Sequence, residues 1–351
     1  MLDLLGEPLT LALIGGFGGL LLGLAARLGR FCSLGAIEDT LYGGDTRRFR
    51  MWGVAIGVAV LGTYGAAGLG LVDLATTSYL STAWNPIASI LGGLAFGYGM
   101  ALAGNCGFGA LARAGGGDLR AFVILLTMGL AAYAALSGPL AALRVAVFPT
   151  GPVDGPLPGL PQAIEAGTGL AALPVALIIG GGILLFSLAN RDFRKSTDLV
   201  LWSMVVGLAV VSGWIGTAWV AETGFAATRT VSHTFAAPVG ETMLYLMTAS
   251  GRSLSFGVGS VLGVMAGAFL GSLMKGHFRW EACEDPRELR RQILGAVLMG
   301  FGAVVALGCN VGQGLSAFSV LALSAPVTAA SIFVGTAIGL RQLITGFLPA
   351  E

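Results

Sequence analysis

Apolar residues run almost without interruption through nine stretches of the chain, 8–29, 50–72, 86–104, 120–147, 168–189, 199–221, 253–275, 291–308 and 327–347. A hydrocarbon core about 30 Å thick needs about 20 mostly apolar residues in a helix, so each run predicts a membrane-spanning helix. The fourth run is overlong, and Pro139 and Arg144 are expected to end its spanning part early. Four further stretches, 33–44, 107–117, 234–246 and 310–324, are too short or too polar to span, yet too apolar for solvent loops. They predict short re-entrant helices, because backbone at depth survives only where protein buries it or where it lines a watery cavity.

Composition supports this pattern. Of 351 residues, 55% are hydrophobic and 11% charged, which lies outside the range of a soluble domain. The net charge of +1 comes without a basic cluster interleaved with aromatics, so no nucleic-acid partner is expected; the lipid bilayer is. The opening MLDLLGEP is acidic, unlike a secretory signal, and reads as the approach to a retained first span. Fourteen Lys and Arg residues, among them Arg30, Arg113, Arg194 and Arg279, fall in the loops after odd-numbered spans, against Arg229 and Arg252 after even-numbered ones. That asymmetry predicts an outside N-terminus and a cytoplasmic C-terminus. The Gly- and Pro-rich TGPVDGPLPGLPQ at 150–162 reads as a linker. The chain then divides into a first half at 1–149, the linker and fifth span at 150–198, and a second half at 199–351, all within one membrane domain.

An offset of 203 residues aligns 91–109, LGGLAFGYGMALAGNCGFG, with 294–312, LGAVLMGFGAVVALGCNVG, without a gap. Gly92, Gly97, Gly99, Cys106 and Gly109 meet Gly295, Gly300, Gly302, Cys309 and Gly312, and at the same offset Glu38 meets Glu241. The matched spans are the third and the eighth, which run in opposite directions, so the repeat is inverted. Inverted repeats with interrupted helices are characteristic of transporters whose substrate sites lie at the repeat interface. Cys32 breaks the symmetry, its counterpart being Phe235.

The four cysteines, Cys32, Cys106, Cys283 and Cys309, are widely spaced and form no CxxC, so neither a disulfide framework nor a metal site is predicted. No cofactor is implied either. His233 and His277 fall in predicted loops, and Cys283 in the charged loop RWEACEDPRE. Three cysteines instead sit at the mouths of the short segments, where Gly-rich turns open helices and aim backbone N–H groups and a positive helix end into a cavity. Such a site suits an anion, and thiols suit one carrying large, polarizable sulfur. Asn105, Gly107, Asn310, Gly312 and Gln313 flank Cys106 and Cys309 and are candidate contacts. Glu38 and Glu241 are candidates as acidic groups in re-entrant segments, or else helix caps or partners of interfacial arginines. A neutral thiol serves transport, whereas a helix N-terminus favours the thiolate and hence covalent sulfur exchange. A membrane thiol enzyme carrying persulfide, and a scaffold whose glycines and cysteines only pack, are the competing classes.

RFCSLGA at 30–36, GNCGFGAL at 104–111, FRWE at 278–281 and LMGFGAVVALGCNVGQGLSAFSVLAL at 298–323 resemble the YeeE/YedE (sulphur transport) family. The resemblance implies an all-α membrane protein of about nine spanning helices plus four short re-entrant ones, shaped as an hourglass. It further implies uptake of thiosulfate, or of a similar sulfur or selenium species, across a bacterial inner membrane. Three family cysteines hand the anion inward through S–H hydrogen bonds; they fall on Cys32, Cys106 and Cys309, and a glutamine four residues past the last falls on Gln313. The family is also similar to proteins that work with a TusA-type sulfur carrier on the cytoplasmic face.

Overall fold

The computed structural model describes residues 5–345, apart from 154, 156, 226, 227, 283 and 284. Cys283 therefore lies outside the described residues. Beyond isolated bridges the described residues form helices and connections only.

The long helices are α1 (Glu7–Leu28), α2 (Arg47–Gly68), α3 (Pro86–Ala103), α4 (Leu119–Leu136), α5 (Ala172–Leu188), α6 (Thr197–Thr223), α7 (Phe256–Met274), α8 (Pro286–Val305) and α9 (Ser324–Thr345). Among the described residues seven are long and apolar enough to cross a membrane: α1, α2, α3, α4, α6, α7 and α9. The other two predicted spans are helical as well. However, α5 has only 17 residues, and α8 opens on the charged PRELRRQ.

Local chemistry sets the ends. Asn85 and Asp285 accept backbone N–H bonds ahead of Pro86 and Pro286 at the first helical positions of α3 and α8. Asp118 and Ser255 cap α4 and α7 in the same way. The overlong fourth run stops at Leu136, and Pro139 lies in the turn before a separate helix, Ala141–Val147. The long helices leave a belt of apolar side chains uncovered, such as Phe17, Leu130, Ile178 and Phe186, each more than 60% exposed. A face of that size in water marks an interaction surface, and here it fits hydrocarbon.

Glycines bring the helix axes together. A Cβ on Gly92 would stand 2.7 Å from the Gly302 carbonyl oxygen, and one on Gly302 would stand 2.6 Å from that of Gly92. Gly99 and Gly295 face each other likewise, each with the other's carbonyl oxygen at 2.5 Å. At the 203-residue offset the two contacts exchange partners, so the α3–α8 crossing has a local two-fold. Gly97 packs on Ile332 and Thr336 of α9, while Gly300 packs on Met128 and Ala132 of α4. The glycines at helical spacing are packing residues.

The segment expected to be a linker is a docked structure. Ala83 N–H bonds to Gly151 O at 2.9 Å, Leu160 N–H to Leu321 O at 2.9 Å and Leu323 N–H to Pro158 O at 2.9 Å. A short helix, Leu160–Thr168, completes it before α5. Proline and glycine lower the segment's own preference for regular structure, but its backbone groups find partners on the 83 and 321–323 turns.

Candidate functional site

All four short stretches contain helix: Ser33–Glu38 running into a π-turn at Asp39–Gly43, Gly107–Gly115, Ala237–Thr248, and 310–319 with a π-helical core at Gly312–Ala317. Cys32 and Cys106 are the N-caps of the first two, and Cys309 directly precedes the last. Two residues before each cysteine the backbone turns left-handed, at Arg30 (φ 56°), Gly104 (φ 72°) and Leu307 (φ 57°). One turn is thus built three times. For Arg30 and Leu307 it carries a cost of about 1–2 kcal/mol each, the crowding of Cβ against the following carbonyl. Its effect is to reverse the chain ahead of each short helix, and at Cys106 and Cys309 the thiol, rather than a hydroxyl or carboxylate, faces the first N–H groups. Gly109 N–H donates to Cys106 Sγ at 3.3 Å and Gly312 N–H to Cys309 Sγ at 3.5 Å.

Cys309 is buried, with 2% exposure, and is held from a second side. Phe235 N–H donates to its sulfur at 3.3 Å, and Thr234 Oγ1 lies 3.5 Å away. Beside it opens a cavity of about 370 Å³ whose wall includes Tyr79, Thr234, Gly308 and Gln313; Arg229 is the one charged residue among the described lining. The bridge between Thr77 and Thr230 carries Tyr79 to this place, docking the loop after α2 on the loop after α6. Gly312 is the hinge of the arrangement, because a Cβ there would stand 2.6 Å from Thr234 Oγ1 and 2.8 Å from the Tyr79 hydroxyl. We expect Gly312→Ala to push both hydroxyls into the cavity and to lower anion binding there several-fold while the purified protein stays monodisperse. Anion-binding isotherms beside size-exclusion profiles check this.

Gln313 is fully buried, and its amide already has work. Nε2 donates to Ala306 O at 2.9 Å and Leu307 O at 3.3 Å, and Ser324 Oγ donates to its Oε1 at 3.2 Å. The side chain pins the strained Leu307 turn, which positions Cys309. Asn310, expected as a neighbouring donor, is buried and its Nδ2 has no partner; Asn105, beside Cys106, is buried with its Oδ1 unpartnered. Buried amides of this kind cost about 1–3 kcal/mol each unless something shares the hydrogen bond.

Cys106, also 2% exposed, is close enough to Cys32 and Cys309 to interact electrostatically with both. The Ser33 hydroxyl, next to Cys32, reaches the Cys106 thiol and the Met100 sulfur, the latter at 3.6 Å. Cys32 itself is half-buried. Between the Cys309 and Cys106 turns stands Phe235, the counterpart of Cys32. Its amide holds Cys309, its ring lies 5.4 Å from that of Phe108, and its carbonyl oxygen faces the Cβ position of Gly107 at 3.8 Å. The end of the Met128 side chain packs on Gly107, its Sδ 2.9 Å from the Cβ position there.

The glutamates do not join this cluster. Glu38 ends its short helix exposed, and Glu241 lies beside Gly257, its carboxylate 2.9 Å from the Cβ position there. Glu38 stands at the opposite end of its helix from Cys32, and the helix that carries Glu241 begins without a cysteine. His233 was expected in a loop; it is in irregular backbone but fully buried, with Nδ1 2.6 Å from Ser260 Oγ. Tyr79 and Thr234 are the contacts sequence reasoning missed. For Thr234 the repeat held a signal, since it neighbours the counterpart of Cys32, but nothing along the chain marked Tyr79.

Fold and site define an all-α, multi-pass membrane protein whose interrupted helices gather three thiols. The sulphur transport family matches residues 28–338, and the chain belongs to that family. It is 26% identical over 327 residues to the thiosulfate transporter TsuA of Escherichia coli strain K12, covering 85% of this chain and 84% of the relative. It is 27% identical over 331 residues to the thiosulfate transporter TsuA of Spirochaeta thermophila, covering 90% and 93%.

Proposed function

We propose that this protein imports thiosulfate, or a close sulfur-containing analogue, across the bacterial inner membrane through contacts at Cys309, then Cys106, then Cys32. The observation that carries the reading is the thrice-built turn, which places each cysteine at the start of a short helix, with Cys106 and Cys309 bonded there by backbone N–H groups. Two relatives named as thiosulfate transporters, aligned over most of the chain, support the substrate class.

Arg229 raises the local concentration of anions at the outer cavity, and the Tyr79 and Thr234 hydroxyls replace the first waters that the anion sheds. At Cys309 the sulfur accepts N–H bonds from Phe235 and Gly312, which leaves its S–H free to donate to the terminal sulfur of thiosulfate. A neutral thiol does this without repelling a dianion, as a thiolate would in a low-dielectric passage. Phe235 blocks a continuous aqueous path, so the anion passes from Cys309 to Cys106 by exchange of hydrogen-bond partners. Cys32 and Ser33 receive it on the arginine-rich side.

In this reading nine helices span, with the N-terminus outside and the two halves related by an inverted repeat. The exchange of glycine partners across α3 and α8 and the shared cysteine turns support the repeat. Purified protein in proteoliposomes is expected to accumulate radiolabelled thiosulfate, with unlabelled thiosulfate competing better than sulfate. Absence of uptake would sink the reading. Mass spectrometry of the same protein is expected to show the cysteines unmodified; added sulfur on Cys106 or Cys309 would favour a persulfide carrier.

A further inference from the structure

A second group of cations lies outside the cysteine path, at the far end of the Cys106 helix. There a cavity of about 480 Å³ is lined by Arg27, Arg113, Arg120 and Arg279 against Asp118 and Glu281. Both carboxylates are committed to other arginines. Asp118 caps α4 and lies 3.4 Å from Arg120, and Glu281 lies 2.6 Å from Arg279 and 3.7 Å from Arg120. Arg27 and Arg113 form no ion pair among the described residues, and the charge acting most strongly on Arg27 is that of Arg113.

Arg27 is held in place rather than left to sample solvent. Its Nε donates to Ser272 Oγ at 2.7 Å, and that hydroxyl donates to Ala268 O at 2.7 Å. Gly116 makes the room, since a Cβ there would stand 2.6 Å from the guanidinium carbon. The strap over the cavity is fixed by two backbone bonds, Leu119 N–H to Glu281 O at 3.0 Å and Glu281 N–H to Gly117 O at 3.1 Å. Gly117 takes φ 99° under the Arg279 carbonyl, a backbone state that glycine allows.

Two guanidiniums facing one pocket whose carboxylates are paired with other arginines repel less when an anion sits between them, and their planar forks match an oxyanion by paired N–H bonds. We propose that Arg27 and Arg113 form a binding site for a small divalent oxyanion, an exit station about 10 Å beyond Cys106 along its helix. The excess of two positive charges in the cavity matches the charge of thiosulfate or sulfate. The assignment to an exit station rests on the import reading above. An anionic lipid headgroup offers related phosphate chemistry, but the cavity wall is mostly charged and polar and offers acyl chains little apolar surface, which favours a free ion.

The test reads occupancy without transport. In full-length protein in phosphatidylcholine nanodiscs, phenylglyoxal modification of Arg113 is followed by peptide mass spectrometry. Thiosulfate well above its dissociation constant is expected to slow the reaction at least about fivefold relative to chloride at matched ionic strength. Equal rates would overturn the site. Protection by phosphatidylglycerol nanodiscs alone, with none from thiosulfate, would assign the arginines to lipid and overturn it too. Arg113 is exposed, so Arg113→Gln folds normally and is expected to lower uptake several-fold while thiosulfate still shields Cys309 from maleimide. Protected Arg113 without any uptake would sink the import reading and leave the site standing; uptake with unprotected Arg113 would sink the site alone.

Discussion

Replacing Cys309 or Cys106 by alanine is expected to cut initial thiosulfate uptake about tenfold to hundredfold, the rate equivalent of losing a hydrogen bond to a charged group worth about 1.5–3 kcal/mol. Protein yield and monodispersity should hardly change. Each sulfur caps its helix through a long N–H contact, at 3.3 Å for Cys106 and 3.5 Å for Cys309, so the fold loses little. Serine separates hydrogen bonding from covalent sulfur chemistry. A hydroxyl still donates, so Cys309→Ser is expected to retain several-fold more uptake than Cys309→Ala; if the thiol is a covalent carrier, both variants are equally inactive. Unchanged uptake in the alanine variants would end the relay. Cys32 is half-buried and stands on the far side of Phe235, so its loss is expected to cost less than that of Cys309.

The second large effect concerns assembly. Gly92→Leu or Gly302→Leu is expected to abolish recovery of monodisperse protein from detergent, rather than merely slow transport. At Gly92 the first side-chain carbon already meets Ala306 N at 2.6 Å and Gly302 O at 2.7 Å, and backbone has no rotamer with which to yield. The helices must then part along their whole contact, which exceeds the 1–3 kcal/mol typical of an overpacked core site. Gly182→Leu is the control. Nothing lies within 4 Å of its Cβ position, and it should purify like the wild type. Normal behaviour of Gly302→Leu would show that the α3–α8 crossing is not what holds the two halves.

How far the chain's own text reached can be followed at particular residues. Pro139 ends a helix by removing a backbone donor and by steric conflict with the preceding turn, both local effects, and the break lies just before it. Asn85, Asp118 and Ser255 cap helices by bonds within three residues, also local. The offset of 203 residues was visible because membrane packing restricts the crossing positions to small residues, so the glycines recur. Sites whose role depends on distant partners were not readable. Gln313 reads as a donor for ligand along the chain, and in the fold it lines the cavity while its amide also bonds the carbonyls of Ala306 and Leu307. Glu38 and Glu241 read as a matched acidic pair, yet Glu38 is the last residue of its short helix and Glu241 the fifth of twelve in its own. Tyr79 had no mark at all, since a bridge between two loops 153 residues apart brings it to Cys309.

The sequence by itself determined the apolar helices, their ends and the three thiols at helix mouths. Each follows from hydropathy, capping or repetition, all read along the chain. The tertiary structure alone decided that Phe235 stands between the cysteine turns, that the Pro-rich linker docks, and that Arg27 and Arg113 share a cavity. These depend on groups far apart in sequence meeting at distances of a few ångströms, and no local preference encodes such a meeting.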